Sequence, residues 1–292
     1  MLSVVIPVYN RRNNLLLCLA ALDRQTYRDF EVIVADDGST DLPIEMVSNY
    51  LWHFHRRYVW QEHAGVRPGQ ARNMGSLLAQ GSALVFVDAD VLLNPTALGH
   101  YANLHNANPD AIIGGRYDWL PPMQITMQDV QHDFNRIITR QCPQIDTGGN
   151  YESGGEYLGI QGEDPRASGR WFDSSVIRYN YCLALFSGNV LWPTRIFRDL
   201  GGFDENIVLH GGEDCEIAMR AQEHGIPTIF SAQVVGYHVW HHRDQEANLR
   251  GVAENIAYMA SKHNFSALGI TTGDPVKGQL PLIAGKDISN AN

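Results

Sequence analysis

Blocks of apolar residues separated by polar ones predict alternating strands and helices in the first third of the chain. Apolar runs that read as buried strands occur at four places: Leu2–Val8, Phe30–Ala35, Ala83–Val87 and, more weakly, near 58–61. Apolar positions at helical spacing predict two helices between them, one capped by Asn13 and one over about 70–79. Strands that are apolar throughout and alternate with helices indicate an α/β fold with a parallel sheet covered on both faces.

The second half of the chain gives fewer clear elements. A helix is expected to begin at Glu213, after Gly211-Gly212, and to end before Gly225. A β-rich stretch follows at 229–237, and an amphipathic helix at about 244–263. The Gly-rich region 117–181 predicts only one helix, near 125–140. We interpret this region as an inserted loop or lid.

Composition narrows the classes of protein. A chain of 292 residues with 44% hydrophobic residues can bury a large core, and its formal charge of −10 argues against a nucleic-acid or anionic-membrane surface. Four widely spaced cysteines, no basic leader and no apolar run of about 18 residues predict a cytoplasmic protein without a transmembrane segment.

Polar loops follow the predicted strands, at the edge where parallel sheets bind their ligands. The loop after the first strand carries Tyr9 and Arg11, the loop after the second carries Asp36-Asp37, and Asp88-Ala89-Asp90 follows the strand at 83–87. These loops contain neither the GxGxxG fingerprint of dinucleotide-binding folds nor a phosphate-binding GxxxxGK[ST] loop.

The two carboxylates of the D-x-D turn need an explanation. At a few ångströms they repel each other by about 4 kcal/mol at an effective dielectric constant near 20. A divalent cation would offset that repulsion, and oxygen ligands that leave coordination positions open suit Mg²⁺ or Mn²⁺. Taken alone, such a motif is more often a solvated turn than a metal site.

Five ordered motifs together resemble family 2 glycosyltransferases of the GT-A fold. They are SVVIPVYNRRNNL, QTYRDFEVIVADDGSTD, GQARNMGSLLAQGSALVFVDADVLLNP, FSGN and GGFDENIVLHGGEDCEIAMRAQEHG, within about 2–116 and 186–240. The last one is also similar to the acceptor-side motif of chondroitin-polymerase and β-1,4-galactosyltransferase catalytic domains. The resemblance implies a single Rossmann-like, mainly parallel sheet with helices on both faces and an acceptor-side subregion. Its nucleotide-sugar half would be 1–116 and its acceptor and catalytic half 117–240, followed by a C-terminal helix and tail at 241–292.

The resemblance also implies a donor site. Asp37 would accept a hydrogen bond from the uracil of a UDP-sugar, and Arg11 and Arg72 would bind the diphosphate, with Arg67 a weaker candidate. The nucleotide-sugar-binding residues expected in this way are Pro7, Val8, Tyr9, Arg11, Asp37, Arg72, Asp88, Ala89, Asp90, Gly188 and Asn189. The metal ligands expected for Mn²⁺ or Mg²⁺ are Asp90, Asp88 and His238. His241 and His242 are left as loop or acceptor residues, and a zinc site at these histidines stays open as the less favoured alternative.

The resemblance further assigns the catalytic base to Asp214, with Glu213 holding a sugar hydroxyl. His210, Gly211 and Gly212 would face the acceptor; the related motif often has Trp where this chain has His210, which puts a sugar acceptor in doubt. The hypothesis is therefore an inverting, metal-dependent glycosyltransferase whose acceptor is a sugar, a peptide or a small metabolite. The alternatives are a non-catalytic carbohydrate- or nucleotide-binding protein and a nucleotidyltransferase. A homodimer through the C-terminal helix is also possible.

Overall fold

A computed structural model of the chain describes residues 1–41, 50–139, 177–178, 185, 187–209, 211–241, 245–265, 267, 270–271 and 282–283. Several positions of interest lie outside the described residues, among them His210, His242 and most of the region 117–181 that the sequence interprets as an insertion.

Nine of the strands in the described part form one mixed sheet. The chain's strands are β1 (Leu2–Val8), β2 (Phe30–Asp36), β3 (His55–Trp60), β4 (Ala83–Val87), β5 (Val91–Leu93), β6 (Ile112–Trp119), β7 (Ile177–Arg178), β8 (Asn189–Pro193), β9 (Thr228–His238), β10 (Ile270–Thr271) and β11 (Leu282–Ile283). The sheet order is β3-β2-β1-β4-β8-β6-β9-β5, with β7 also on β9, and β10 pairs separately with β11. β1 to β4 run parallel, as do β6 and β9, whereas β5, β7 and β8 are antiparallel to their neighbours. The predicted mainly parallel sheet is confirmed.

Helices cover both faces of the sheet, as predicted. They are α1 (Arg12–Asp23), α2 (Pro68–Leu77), α3 (Ala97–Ala107), α4 (Met127–His132), α5 (Phe134–Thr139), α6 (Thr194–Asp199), α7 (Glu213–Glu223) and α8 (Gln245–Lys262). Adjacent residues of β1 point to opposite cores: Val4 joins the one formed with α1, α3, α4 and α5, and Val5 joins the one formed with α2, α6, α7 and α8. Over the described residues, every helix is too short or too polar to cross a bilayer.

Two predicted helices differ in detail. α1 begins at Arg12, and no side chain caps it, so the predicted capping role of Asn13 is wrong. The helix expected near 125–140 is two short helices that meet at Asp133. The φ of −138° and ψ of 52° at Asp133 are not helical and end the first helix. Thr126 and Asp129 form a capping box at the start of the first helix.

Candidate active site

The D-x-D turn leaves the carboxyl end of β4 at the centre of the sheet. β8 pairs with β4 so that Asn189 lies opposite Val87, and the Asp88 amide donates to the Gly188 carbonyl oxygen at 3.2 Å. Ala89 is buried, which leaves the two carboxylates as the polar groups of the turn. Strand pairing thus fixes the turn against the N-terminal end of β8.

A second pairing brings histidines to Asp90. His238 is the last residue of β9 and lies opposite Val91 in the β5–β9 register, while the Val239 amide donates to the Asp90 carbonyl oxygen at 2.8 Å. The His238 Nε2 atom lies 3.5 Å from Asp90 Oδ1, and His241 Nε2 lies 2.9 Å from Asp90 Oδ2. The extension of β9 past the sheet therefore directs two imidazoles at one carboxylate.

These three side chains fit a metal ion. One ligand atom from each of Asp90, His238 and His241 lies within 4.8 Å of the other two. A carboxylate with two imidazoles is a donor set that transition metals accept. The sequence interpretation placed His238 here but not His241, although the H-x-x-H spacing directly after a strand was a usable signal. Asp88 is outside this group, and its predicted role as a ligand stays a prediction.

Arg11 reaches the same group from the loop after β1. Its Nη2 atom lies 3.2 Å from His241 Nδ1. The arginine predicted to bind the diphosphate therefore contacts a histidine of the group that could hold a metal ion. This places a positive charge beside the carboxylates of the D-x-D turn, where an anionic ligand would need it.

The loops after β1 and β2 are tied together. The Asp37 amide donates to the Val8 carbonyl oxygen at 2.9 Å, where Pro7 and Val8 complete β1. The Asn10 side chain accepts from the Thr40 amide at 2.8 Å. These bonds make the predicted base-binding segment and Asp37 neighbours.

The Asp37 carboxylate is buried and oriented by two side chains. Its Oδ1 atom accepts from Gln61 Nε2 at 2.5 Å and from Arg67 Nη2 at 3.2 Å. The Tyr9 ring stacks on His63 with centroids 4.0 Å apart. Arg67, a weak phosphate candidate in the sequence, therefore pairs with Asp37 in the structure.

Arg72 is buried and paired with two carboxylates. Its guanidinium donates from Nη1 to Glu213 Oε1 at 2.8 Å and from Nη2 to Asp88 Oδ1 at 2.7 Å. The Cζ atom lies 5.5 Å from the centre of the Phe203 ring, and the residue is 4% exposed. These two ion pairs join the D-x-D turn after β4 to α7, and the expected contact of Arg72 with phosphate stays a prediction.

Gly188 and Asn189, at the start of β8, contact different parts of the protein. The Asn189 side chain accepts from Tyr101 Oη at 2.9 Å and donates to the Arg116 carbonyl oxygen at 3.0 Å, so both of its polar atoms have partners within the protein, and its expected contact with a nucleotide-sugar stays a prediction. Gly188 abuts the site itself, because a Cβ atom there would overlap Tyr117 Oη and Asp88 Oδ2.

Two glycines with positive φ start α7. Gly211 and Gly212 have φ of 81° and 111°, a backbone that other residues rarely adopt, and they turn the chain so that Glu213 and Asp214 begin the helix. Asn255 of α8 donates to the Gly211 carbonyl oxygen at 2.6 Å. A hydrogen bond from α8 therefore fixes the turn that leads into α7.

Burial, together with the charge of Glu213, raises the pKa of Asp214 to about 7, although Arg72 and the Cys215 amide act against this shift. Burial also raises the pKa of Asp88, despite its pairing with Arg72. A carboxyl group with a pKa near neutrality is suited to proton transfer.

The architecture defines a GT-A fold, as the solved structures it resembles indicate. A Staphylococcus aureus TarS fragment, residues 1–349, in complex with UDP-GlcNAc superposes with a TM-score of 0.62 at 16% identity, over 92% of this chain and 69% of that one. The mannosyltransferase PcManGT from Pyrobaculum calidifontis, in complex with GDP-Man and Mn²⁺, gives a TM-score of 0.57 at 19% identity, over 89% and 63%. The predicted fold class is confirmed.

The family model described as Glycosyl transferase family 2 matches residues 3–153, more than half of the chain, and the chain belongs to this family. Validoxylamine A glucosyltransferase of Streptomyces hygroscopicus subsp. jinggangensis is 33% identical over 268 residues, 90% of this chain and 61% of that protein. Escherichia coli chondroitin synthase is 29% identical over 226 residues, 77% of this chain and 32% of that one. The chain thus spans less than two thirds of the length of these relatives.

Proposed function

We propose that this chain is an inverting, metal-dependent glycosyltransferase that transfers a sugar from a UDP-sugar to an acceptor hydroxyl. The observation that carries the proposal is the joining of two groups: a half-buried carboxyl, Asp214, with a raised pKa, and the D-x-D turn, which Arg72 connects to the helix of Asp214. Membership of glycosyl transferase family 2 supports the reaction class.

Asp214 is the proposed general base. In a single displacement the acceptor oxygen attacks the anomeric carbon, the bond to the diphosphate breaks, and the hydroxyl proton passes to a base. A positioned carboxylate typically contributes a factor of about 10²–10⁴ to such a step. One displacement inverts the anomeric centre, and it requires only this one carboxylate.

Asp90, His238 and His241 are the proposed metal ligands. Mn²⁺ suits this set better than Mg²⁺, because Mg²⁺ prefers oxygen ligands and retains water whereas two of the three donors are imidazole nitrogens. When bound, the ion would neutralise charge that develops on the departing diphosphate. Arg11 lies beside His241 and is proposed to contact the same diphosphate.

Uracil is the proposed nucleobase of the sugar donor. The Asp37 carboxylate, held by Gln61 and Arg67, accepts hydrogen bonds and therefore suits an imide N–H. Tyr9, which is 39% exposed, offers a ring face at the end of β1 for stacking. The two solved structures carry UDP-GlcNAc and GDP-Man respectively, and guanine also offers N–H donors to a carboxylate, so the preference for uridine rests on the resemblance of the Asp36-Asp37 motif.

A small metabolite is the acceptor class that we favour. A relative that matches 90% of this chain at 33% identity is named for glucosyl transfer to validoxylamine A. Chondroitin synthase, a polymer-forming relative by its name, matches a smaller share of this chain and at lower identity. UDP-glucose and validoxylamine A are accordingly the first donor and acceptor to test.

The test measures UDP release with Mn²⁺ from a panel of UDP- and GDP-sugars, with and without acceptor. Asp214→Asn is expected to reduce transfer at least 100-fold while UDP binding stays within about twofold, since the change removes only the proton acceptor. Asp199→Asn, an exposed acid on α6, is the matched control and should leave transfer unchanged. Equal loss of UDP binding and transfer in Asp214→Asn would make Asp214 a structural residue.

A further inference from the structure

Arg72 connects two parts of the site that are far apart in the sequence. It lies on α2, and its two terminal nitrogens donate to Asp88 after β4 and to Glu213 at the start of α7. With 4% exposure it is among the most buried charged residues of the described chain. The donor-side turn and the helix of the proposed base are therefore joined by a single side chain.

The guanidinium is buried against two carboxylates. Nη1 and Nη2 each donate one hydrogen to a carboxylate, and Nε is buried without a hydrogen-bond partner. The remaining hydrogens belong to a side chain that is only 4% exposed. Its flat face packs on the Phe203 ring, with 5.5 Å between Cζ and the ring centre. These contacts favour a role within the protein over bidentate binding of a diphosphate, which needs a pair of donors that face an open site.

The same side chain sets the charge around Asp214. The ionisable groups that face Asp214 are Glu213 and the Cys215 thiol beside it on α7, Arg72 from α2 and Tyr117 from β6, and the Cys215 amide donates to its Oδ1 atom at 2.8 Å. Arg72 supplies the positive charge in this set. Glu213 Oε2 is buried without a partner, so its negative charge is balanced mainly through Oε1 and Arg72.

We propose that Arg72 is a positioning residue. It ties the first turn of α7 to the D-x-D turn, orients Asp214 toward the site of the sugar donor, and favours the ionised form of Asp214 through its positive charge. This inference deepens the proposed function and rests on it. It assigns to Arg72 no contact with the donor.

The proposal is tested by neutralising each partner of the Arg72–Glu213 ion pair in turn and measuring kcat against pH. The acidic limb is the pH range over which kcat rises as the proposed base ionises. Arg72→Gln removes the positive charge near Asp214, so the acidic limb should move up by about one pH unit, kcat should fall at least tenfold, and the KM for the sugar donor should change by less than threefold. Glu213→Gln removes a negative charge, so the limb should move down. Arg72→Lys keeps the charge but cannot bridge both carboxylates, so kcat should fall while the limb stays near the wild-type position.

Arg220→Gln is the matched control, because Arg220 is a partly buried arginine that pairs with Glu216 on the same helix. It should lower Tm without moving the limb. Limbs that move in the same direction in Arg72→Gln and Glu213→Gln, or that do not move, would overturn the inference. So would a donor KM raised at least tenfold in Arg72→Gln with an unshifted limb, since that result identifies a phosphate ligand.

A direct titration of Asp214 by carbon-13 NMR in the same variants separates this inference from the proposed function. An inactive wild-type chain whose Asp214 still titrates higher in Arg72→Gln and lower in Glu213→Gln would contradict the transferase but support the role of Arg72. An active wild-type chain whose Asp214 titrates alike in all variants would contradict the role of Arg72 alone. If Arg72→Gln does not fold, the Arg72→Lys and Glu213→Gln pair still decides the matter.

Discussion

Asp214 shows at the scale of one residue how burial prepares a carboxylate for proton transfer. The pKa of an ordinary exposed aspartate lies far below neutrality, but burial and the adjacent Glu213 raise the pKa of Asp214 to about 7. At that value the group accepts a proton readily and still releases it near physiological pH. A base of this kind works only in its ionised form.

The activity is therefore expected to depend on pH. Because the pKa is raised, the ionised base is the minor form below pH 7 and the major form above it, so kcat should rise through about pH 7 and then level off. The measurement is kcat between pH 5 and 9 at saturating substrates. A kcat already constant from pH 5 would contradict the assignment of Asp214 as base.

Gly188 allows a second prediction. A Cβ atom at this position would overlap Tyr117 Oη and Asp88 Oδ2, so Gly188→Ala should displace Asp88 and weaken UDP binding at least tenfold. Gly99→Ala in helix α3 is the control. The atom nearest to an added Cβ there is Tyr27 Cβ at 3.8 Å, so alanine fits without a clash and should stabilise the protein by up to about 1 kcal/mol. Calorimetric UDP titration and thermal unfolding measure the two effects, and unchanged UDP binding in Gly188→Ala would contradict the first.

Part of this site could be predicted from the sequence, because the residues of a short motif at the end of one strand lie close together whatever the rest of the fold. Asp90 and His238, which come together, are each marked by a strand end followed by polar residues. The ion pairs of Arg72 could not be predicted, since they join residues from three elements and depend on how α7 packs against α2. The same reason hid the structural role of Asn189, whose partners lie on α3 and β6.

The packing of α8 against α7 shows how two elements support the site. Glu216 is fully buried and accepts from Lys262 Nζ at 2.6 Å and from Arg220 Nε at 2.9 Å. Burial alone would raise the pKa of Glu216, but hydrogen bonds from Arg220 and Lys262 lower it. Lys262 also donates to Asp204 at 2.6 Å. This network holds the two helices together at the end of α8 that lies beyond Asn255.

Lys262→Met should test the network. It removes a charged donor from two carboxylates and should lower the free energy of unfolding by about 2 kcal/mol at pH 7. The stabilisation arises from a depressed carboxyl pKa, so it is present above the ordinary Glu value and is lost as the pH falls below it. Arg195→Met, which breaks an exposed pair with Asp110, should cost less than about 1 kcal/mol. Equal losses in urea unfolding would show that the Lys262 network is no stronger than a surface pair.

Element prediction succeeded where burial is continuous and failed where pairing is distant. The apolar runs of β1 and β4 identify themselves, and both strands have the predicted bounds. The three-residue β5 is too short to leave a pattern, and the β6 and β8 pairing depends on sheet closure. The interruption lies at Asp133, whose side chain accepts from the Arg136 amide at 3.3 Å, a local contact that the apolar periodicity did not reveal.

At the scale of the whole molecule, the first and last thirds of the chain each supply residues to the group that could hold a metal ion. Asp90 comes from the turn after β4, whereas His238 and His241 come from the end of β9, so an intact sheet is required to bring them together. The division into halves at 116 and 240 stays a prediction, as does a homodimer. The fold class and the family, by contrast, were predictable, because several ordered motifs specify them jointly.

His241→Ala should separate metal binding from folding. Removing one of the three proposed ligands should weaken Mn²⁺ binding at least tenfold, while Tm without metal changes little because His241 follows β9 and belongs to neither apolar core. His224→Ala, at the exposed end of α7, is the control and should bind Mn²⁺ like the wild-type chain. Calorimetric titration with Mn²⁺ alone measures both, and unchanged affinity in His241→Ala would remove this residue from the site.

The most direct test of the account is the affinity of the wild-type chain for UDP, measured by calorimetry with Mn²⁺ and again with a chelator. A metal at Asp90 that shares the diphosphate predicts at least tenfold tighter binding with Mn²⁺, and the same metal dependence in Asp214→Asn. Equal affinity with and without the metal would contradict the claim that the Asp90, His238 and His241 group belongs to the nucleotide-sugar site.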